Sequence, residues 1–428
     1  MKKTLLILVP LTAIIYAQDE IQTNSFADAF SQSAFIPDIS LIVDMSYVNR
    51  NLKDEEVAHL EVPGVAHGLI GGHSHGEHSH STVNASNGFN LNYAELALHS
   101  SVDPYFDLDA VFHFSEHGVE IEEAYFTTNA IPYGFRIRGG KFLSEFGYLN
   151  NQHHHVWDFA DMPLAYQAFL GGHGINEIGA QVQWLAPTSL YWMFGAEALQ
   201  GENEQMFGTG AIAPAGDPEA ITVSSPDQPN LFVGYTKLSG DIGDTTLLGG
   251  LSIAYGDSRI DHLEDAEAPH AFAGTSTLYG ADLVIKHYFD SYSYLKWQSE
   301  WLYRDLDGMQ YNYPSDDTTS FNTVALRKKQ SGYYSQLLYA YDQNWRIGGR
   351  LDSIYQNDVI ANSTNKEMPD DLNRYTAMID YSTSEFARFR LQYNHNTALY
   401  NEEGEQQDVN SLIFQVNMAI GAHGAHNF

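Results

Sequence analysis

A chain of 428 residues with 21 Lys and Arg against 54 Asp and Glu carries a formal net charge of −33 and contains no cysteine. Nucleic acid is excluded as a partner, because neutralising phosphates takes a surplus of Lys and Arg. Disulfide scaffolds, thiolate metal sites and cysteine nucleophiles are excluded as well. Length alone suggests two or three soluble domains, but single all-β barrels depart from that prior. The 27 Tyr, 23 Phe and 35 Gly against 14 Pro suit long strands with aromatic girdles. A mean hydropathy of −0.30 argues against a bundle of transmembrane helices. It leaves a membrane β-barrel open, since such barrels hide their apolar surface in alternation.

Residues 1–17 read MKKTLLILVPLTAIIYA. Lys2 and Lys3 form a positive n-region and Leu5 to Ile15 an apolar core, which predicts a secretory signal cleaved after Ala17. The core is too short to cross a bilayer as a helix, which takes about 20 apolar residues. Residues 18–37 are expected to be a periplasmic lead-in, and residues 38–428 an exported outer-membrane β-barrel.

From Asp38 onward the sequence divides into sixteen apolar-alternating runs, each long enough for a tilted membrane strand. Phe106, Leu108, Ala110, Phe112 and Phe114 fall on one face, with Asp107, Asp109 and His113 on the other. Leu295, Trp297 and Trp301 alternate with Lys296, Gln298 and Glu300; Trp345, Ile347 and Leu351 alternate with Arg346, Arg350 and Asp352. Short links occur at 103–104, 129–133, 186–189, 239–244, 290–291, 342–344 and 382–385. Longer polar segments lie between them at 51–88, 143–172, 201–229, 257–274, 304–328, 357–371 and 396–408, and only the link at His117-Gly118 is short on the long side. Short turns at one rim and long loops at the other are expected of outer-membrane barrels, as is an even strand count. In the last run Leu412, Phe414, Val416, Met418 and Ile420 share parity with Phe428. This resembles the terminal signal read by the barrel assembly machinery, although the GAHGAHN stretch before Phe428 departs from it.

The link at 143–172, LSEFGYLNNQHHHVWDFADMPLAYQAFLGG, is too apolar and aromatic to float in solvent, so it is expected to fold into the lumen after the fifth strand. The GGKF segment at 139–142, followed by Phe146-Gly147, Asn150, His153, Trp157, Phe159, Asp161 and Pro163, resembles the phosphate-selective porin-like family of Gram-negative outer membranes. The resemblance covers roughly 35 residues. It implies a sixteen-strand porin with a constriction loop, in a homotrimer embedded in outer-membrane lipid and lipopolysaccharide.

With apolar residues facing lipid, Arg136 and Arg138 on the fifth strand face the lumen. So do Arg346 and Arg350 on the thirteenth, Arg374 on the fourteenth, and Arg388 and Arg390 on the fifteenth. On the lipid face such charges cost about 2–4 kcal/mol at the midplane. Glu145, Asp158 and Asp161 on the inserted loop are expected to oppose this basic wall and set up a transverse field that selects ions. Local neutralisation by Asp352 and Asp380 is the competing expectation. Asp107, Asp109, Glu120, Glu122, Glu197 and Glu300 are further candidates for the pore lining.

Histidines are the remaining unusual feature. His67, His73, His75, His78 and His80, with Glu77, crowd the first long loop, and a Gly/Ser-spaced imidazole tract suits Zn²⁺ or another divalent transition metal. His153, His154 and His155 offer a second station inside the pore, against the alternative that they hydrogen-bond the loop to the wall. The chain is also similar to proteins named zinc-regulated TonB-dependent outer membrane receptors. A plugged barrel of that type has 22 strands, and residues 18–37 are too few to form a plug. No G-x-S-x-G nucleophile motif occurs, and no carboxylate spacing singles out a catalytic pair, so no enzyme is expected. The reading is an outer-membrane porin passing small hydrophilic solutes or ions by diffusion, with metal uptake or binding through the His-rich loop as the alternative.

Overall fold

Strict alternation of polar and apolar side chains leaves each strand with one face for oil and one for water. Closing the strands into a cylinder satisfies both. The computed structural model describes residues 37–65, 83–116, 118–203, 205–213, 222–263, 269–313, 321–401 and 403–421. The predicted signal segment, the histidines at 67–80 and the C-terminal aromatic therefore lie outside the described residues. A closed barrel of sixteen antiparallel strands results. In chain order they are β1 Asp38–Arg50, β2 Gly88–Asp103, β3 Phe106–Ser115, β4 Gly118–Thr128, β5 Phe135–Leu143, β6 Asn176–Leu185, β7 Tyr191–Leu199 and β8 Leu231–Ile242. They continue as β9 Thr245–His262, β10 His270–Tyr288, β11 Tyr294–Asn312, β12 Asn322–Ala340, β13 Trp345–Ala361, β14 Leu372–Ser384, β15 Ala387–Tyr400 and β16 Gln406–Gly421. A three-residue strand, Thr364–Lys366, folds back on the end of β13.

Each strand pairs with its sequence neighbours, and β1 pairs with β16 from Ser40 opposite Gly421 to Arg50 opposite Ser411. Asp44 sits fully buried at this seam. Its carboxylate accepts from Gln415 Nε2 at 2.9 Å and Asn417 Nδ2 at 3.0 Å on β16, and from Asn92 Nδ2 at 2.5 Å on β2. One acidic side chain thus joins the first strand to both of its neighbours.

The distribution of polarity is inverted relative to a soluble protein. Ile347 and Leu391 are 53 % and 43 % exposed, while Arg350 and Arg390, on the alternate face, are 4 % and 1 % exposed. No helix among the described residues is long and apolar enough to cross a membrane. The short links are built as Asx turns, in which an Asp carboxylate accepts the amides that follow. Asp103 takes Tyr105 and Phe106, Asp290 takes Tyr292 and Ser293, and Asp342 takes Asn344 and Trp345.

Several segments expected as polar loops are largely strand. β9 runs to His262 and β10 starts at His270; β11 runs to Asn312 and β12 starts at Asn322; β13 runs to Ala361, β15 to Tyr400, and β16 starts at Gln406. Apolar alternation stops where hydrocarbon stops, but the backbone hydrogen-bond ladder continues above it. With 18 or 19 residues each, β9 to β12 extend about 60 Å at ~3.3 Å per residue, far beyond an apolar band of about 25 Å. β3 to β5 have only 9 to 11 residues, so one side of the cylinder is a low wall. Introducing a charge on the outer face, as in Leu391→Arg, is expected to lower stability by about 2–4 kcal/mol. Denaturant unfolding from lipid vesicles checks this, and an unchanged midpoint would show that Leu391 does not face hydrocarbon.

Candidate functional site

The link from β5 to β6, residues 144–175, holds a short 3₁₀ turn at His154–Val156 and the helix α1 at Leu164–Leu170. Its backbone has no strand to pair with, yet Ser144, Phe146, Leu149, Phe159, Ala160 and Leu164 are buried. Buried amides need acceptors, and side chains from five strands provide them. Just before the segment, Glu123 on β4 accepts from Leu143 N, the last residue of β5, at 2.8 Å. Glu197 on β7 accepts from Ser144 Oγ at 2.5 Å and Glu145 N at 3.0 Å. Ser252 on β9 accepts from Gly147 N at 3.0 Å. Glu300 on β11 accepts from Tyr148 N at 2.8 Å, Leu149 N at 2.9 Å, Tyr166 Oη at 2.7 Å and also Tyr334 Oη. Asp352 on β13 accepts from Leu164 N at 3.2 Å, and Gln392 on β15 from Ala160 N at 2.8 Å. Asn150 ties the two ends of the segment together, donating to Ser144 O and Ile175 O and accepting from Ile175 N. Gly147 has a φ of +66°, and a Cβ there would collide with Tyr166 Oη and the Glu300 carboxylate.

An apolar cluster reinforces these bonds. Phe142, Phe146, Leu149, Trp157, Leu164, Tyr166, Phe169 and Leu170 pack with Leu231 and Val233 of β8, Leu278 of β10, Leu302 of β11 and Ile354 of β13. These strand residues share parity with Lys237, Asp282, Glu300 and Arg350. The expectation that apolar strand residues all face lipid is therefore corrected here: where an apolar segment packs against the wall, the wall turns apolar residues toward it.

The arginines of β13 to β15 are drawn together, and the segment takes up their hydrogen bonds. Asp352 accepts from Arg350 Nε and Arg374 Nε, both at 3.0 Å. Asp380 accepts from Arg390 Nε at 2.8 Å and Arg346 Nη2 at 2.5 Å. From the segment, Asp161 meets Arg350 Nη2 at 2.8 Å and Arg374 Nη1 at 3.3 Å, and also accepts from Gln392 and Asn394. Asp158 meets Lys296 Nζ at 2.9 Å and Arg346 Nη1 at 3.6 Å. Segment carbonyls receive the remaining donors: Arg350 on Asp161 O, Arg374 on Met162 O, Arg388 on His155 O and Arg390 on Trp157 O. Burial alone would raise the Asp161 carboxyl, but Arg374 and Arg350 overcome it and hold the group at about 2. Burial is likewise outweighed at Asp158 by Lys296 and Arg346, which keep it below its ordinary value.

Other residues singled out in the sequence lie elsewhere. Glu145 does not face the arginines of β13 to β15; it pairs with Lys237 Nζ of β8 at 2.8 Å. Arg136 donates to Gln183 Oε1 at 2.9 Å, and Arg138 lies 4.5 Å above the Tyr125 ring. Asp107 accepts from Ser101 Oγ and Asn129 Nδ2 near the short-turn rim, and Asp109 lies 2.7 Å from His99 Nδ1. Glu197 and Glu300 bind segment amides. Sequence reading missed that role because a carboxylate receiving an amide and one facing water look alike in a strand pattern.

Further around the wall, the histidines of the segment meet β2 and β4. His153 places Nδ1 at 2.9 Å from Glu122 Oε2 and Nε2 at 2.9 Å from Glu123 Oε2. His155 Nδ1 lies 3.1 Å from Glu95 Oε2, and His154 lies between Tyr93 Oη and Ala160 O. Burial lowers the His154 imidazole below its ordinary value. Glu95, His113, Glu122 and His153 together bring one potential metal-ligand atom each to within 4.8 Å of one another. Beside them a cavity of about 550 Å³ is lined by His113, Glu120 and Glu122 of the wall and by Asn150, His154 and Trp157 of the segment.

Sixteen antiparallel strands, an apolar exterior, a polar interior and a long segment after the fifth strand define the outer-membrane porin type of barrel. Solved structures of that fold match the chain: the outer membrane channel DcaP of Acinetobacter baumannii, with TM-score 0.50 and 11 % identity over 91 % of this chain and 99 % of that one; an anion-selective porin from Comamonas acidovorans, with TM-score 0.50 and 9 % identity over 90 % and 99 %; and OprB of Pseudomonas putida, with TM-score 0.50 and 9 % identity over 90 % and 94 %. The chain belongs to one family with an uncharacterized protein of Aquifex aeolicus (strain VF5), to which it is 49 % identical over 399 residues, 93 % of this chain and 81 % of that one. No protein-family model matches, so the likeness to phosphate-selective porins and to zinc-regulated receptors rests on sequence motifs alone.

The Asp161 ion pairs generate a pH dependence. Its folded value of about 2 lies below the ordinary 3.8, so the stabilisation is complete above about pH 4 and is lost as pH falls toward 2. The shift corresponds to about 2 kcal/mol. Unfolding measured in detergent between pH 5 and pH 2 is expected to show this loss in the wild type and a flatter profile in Asp161→Asn; identical profiles would contradict the pairing.

Proposed function

We propose that the chain is an outer-membrane channel through which small hydrophilic solutes or ions diffuse, with residues 144–175 as a constriction inside the lumen. The observation that carries this reading is the set of segment anchors on β4, β7, β9, β11, β13 and β15. A segment bonded to the inward side chains of strands all around a closed cylinder crosses its interior. The cavity of about 550 Å³ between the segment and the low wall is the approach to the constriction. Outer-membrane lipid and lipopolysaccharide surround the exposed apolar face, the assembly machinery inserts the chain, and a homotrimer is the assembled form.

Selectivity follows from which charges remain unneutralised. Asp352, Asp380, Asp158 and Asp161 neutralise most of the arginine wall at contact distance, so that wall presents little free positive charge to a passing ion. Glu122 on the approach is paired with His113 and His153, whereas Glu120 is exposed and meets Lys141 Nζ only at 3.8 Å. A cation preference is therefore expected, and phosphate selectivity is not. The histidine tract at 67–80 lies outside the described residues and gives metal uptake no support over diffusion.

Planar-bilayer recording of the refolded protein is the test. Small single-channel steps are expected from the wild type, larger ones from an Asp158→Ala/Asp161→Ala variant, and a reversal potential in a KCl gradient that favours cations. An absence of current from both proteins would defeat the channel reading. A reversal potential favouring chloride would leave the channel but refute the charge assignment.

A further inference from the structure

The low wall carries a constellation that solute diffusion does not require. Glu95 of β2, His113 of β3, Glu122 of β4 and His153 of the segment point four ligand atoms at one spot. His113 Nε2 lies 2.8 Å from Glu122 Oε2 and 3.3 Å from Glu95 Oε2. His153 Nδ1 lies 2.9 Å and 3.8 Å from the same two oxygens. Four ligands around a tetrahedral ion at about 2.0–2.1 Å stand roughly 3.4 Å from one another. The observed separations straddle that edge length, so small side-chain movements would seat an ion among these atoms.

The backbone is shaped for this arrangement. Successive residues of a regular strand point to opposite faces, yet Glu122 and Glu123 both reach the ring of His153, one at each nitrogen. A β-bulge makes this geometry available. Val111 of β3 is opposite Glu123 and Phe112 is opposite Ile121, which leaves Glu122 as the extra residue. Bulges re-aim side chains in this way and recur beside functional sites. Glu123 then occupies the place that an outer carboxylate takes behind a ligating histidine, where it fixes the ring and strengthens the ligand. The same Glu123 is held in turn by Leu143 N at 2.8 Å. The Tyr93 ring stacks on His113 at 4.6 Å between centroids, and His155 bonds Glu95. His113 and Glu122 also line the 550 Å³ cavity, which provides an entry path.

We infer that Glu95, His113, Glu122 and His153 form a binding site for one divalent first-row transition ion, with Zn²⁺ the best match to two imidazoles and two carboxylates in a tetrahedral arrangement. The ion would join three wall strands to the segment. The site goes beyond the channel reading and does not depend on conductance, since its readouts are stoichiometric and spectroscopic.

The test uses the full chain, refolded in detergent and stripped of metal. Equilibrium dialysis measures Zn²⁺ stoichiometry, and Co²⁺ titration reads the visible absorption of a tetrahedral site. Because the tract at 67–80 can bind metal on its own, the decisive quantity is the difference between variants. His113→Gln/Glu122→Gln is expected to bind one equivalent less than the wild type and to lose the tetrahedral Co²⁺ bands. Glu123→Gln should keep the stoichiometry while weakening this site about 10- to 100-fold. If the double wall variant fails to fold, His153→Gln removes a ligand from the segment instead, leaving the strands intact, and is expected to lose the same bands. Equal Zn²⁺ stoichiometry in wild type and His113→Gln/Glu122→Gln, or Co²⁺ bands unchanged by loss of His153, would overturn the inference.

Discussion

A polypeptide segment buried against a barrel wall has no neighbouring strand, and each amide it buries must find an acceptor there. Burying an amide without one costs free energy comparable to a lost hydrogen bond. In this protein Glu197, Glu300 and Asp352 meet the requirement with carboxylates, and Ser252 and Gln392 with neutral oxygens. An ionised carboxylate accepts at both oxygens, and hydrogen bonds to it are stronger than neutral ones. Glu300 uses that capacity fully, holding two amides and two tyrosine hydroxyls. Much of the chain's acidic excess inside the barrel thus follows from the segment's need for acceptors.

The basic side of the lumen follows the same logic with the polarity reversed. Arg350, Arg374, Arg388 and Arg390 donate to carbonyls of the segment while pairing with Asp352 and Asp380 or lying close to them. Removing charges from water carries a large desolvation penalty, which is repaid only where the geometry satisfies the remaining donors. Guanidinium supplies five donors in a fixed fork, so one arginine can serve a wall carboxylate and a segment carbonyl together. Lysine, a point charge on a flexible stem, lacks that geometry. It appears here where a single carboxylate is the partner, as in Lys237 with Glu145 and Lys296 with Asp158.

The barrel itself was legible from period-two alternation, and its strand count from the rhythm of links, because oil outside and water inside impose a pattern on every strand. Strand ends were less legible. Asp305 and Asp307 of β11 share the outward parity of Trp301 and Tyr303, and polar residues where the alternation calls for apolar ones read as loop. That residues 143–172 are packed rather than solvated was recognisable from their aromatic content, and several of the motif residues meet a physical need. Gly147 gives way to Glu300 and Tyr166, Asn150 closes the base, Phe159 lies under Arg350 at 4.8 Å, and Asp161 pairs with two arginines. Inward apolar residues such as Leu278, Leu302 and Ile354 could not be told from lipid-facing ones, since periodicity assigns a face only when one knows which face is wet. Glu145 was placed against the wrong wall for a related reason: sequence order along a folded segment does not say which side of a cylinder each residue meets.

The two sides of the segment differ in how readily their contacts exchange. Arginine stays protonated at any physiological pH, and Asp161 is ionised far below it, so the contacts to β13, β14 and β15 are permanent under ordinary conditions. With anchors on six strands and an apolar cluster beneath them, the segment has no hinge about which to swing as a lid. The contacts to β2 and β4 run through His153, His154 and His155, which meet Glu122 and Glu123, Tyr93, and Glu95, and imidazole is a donor type that can exchange such partners for a metal ion.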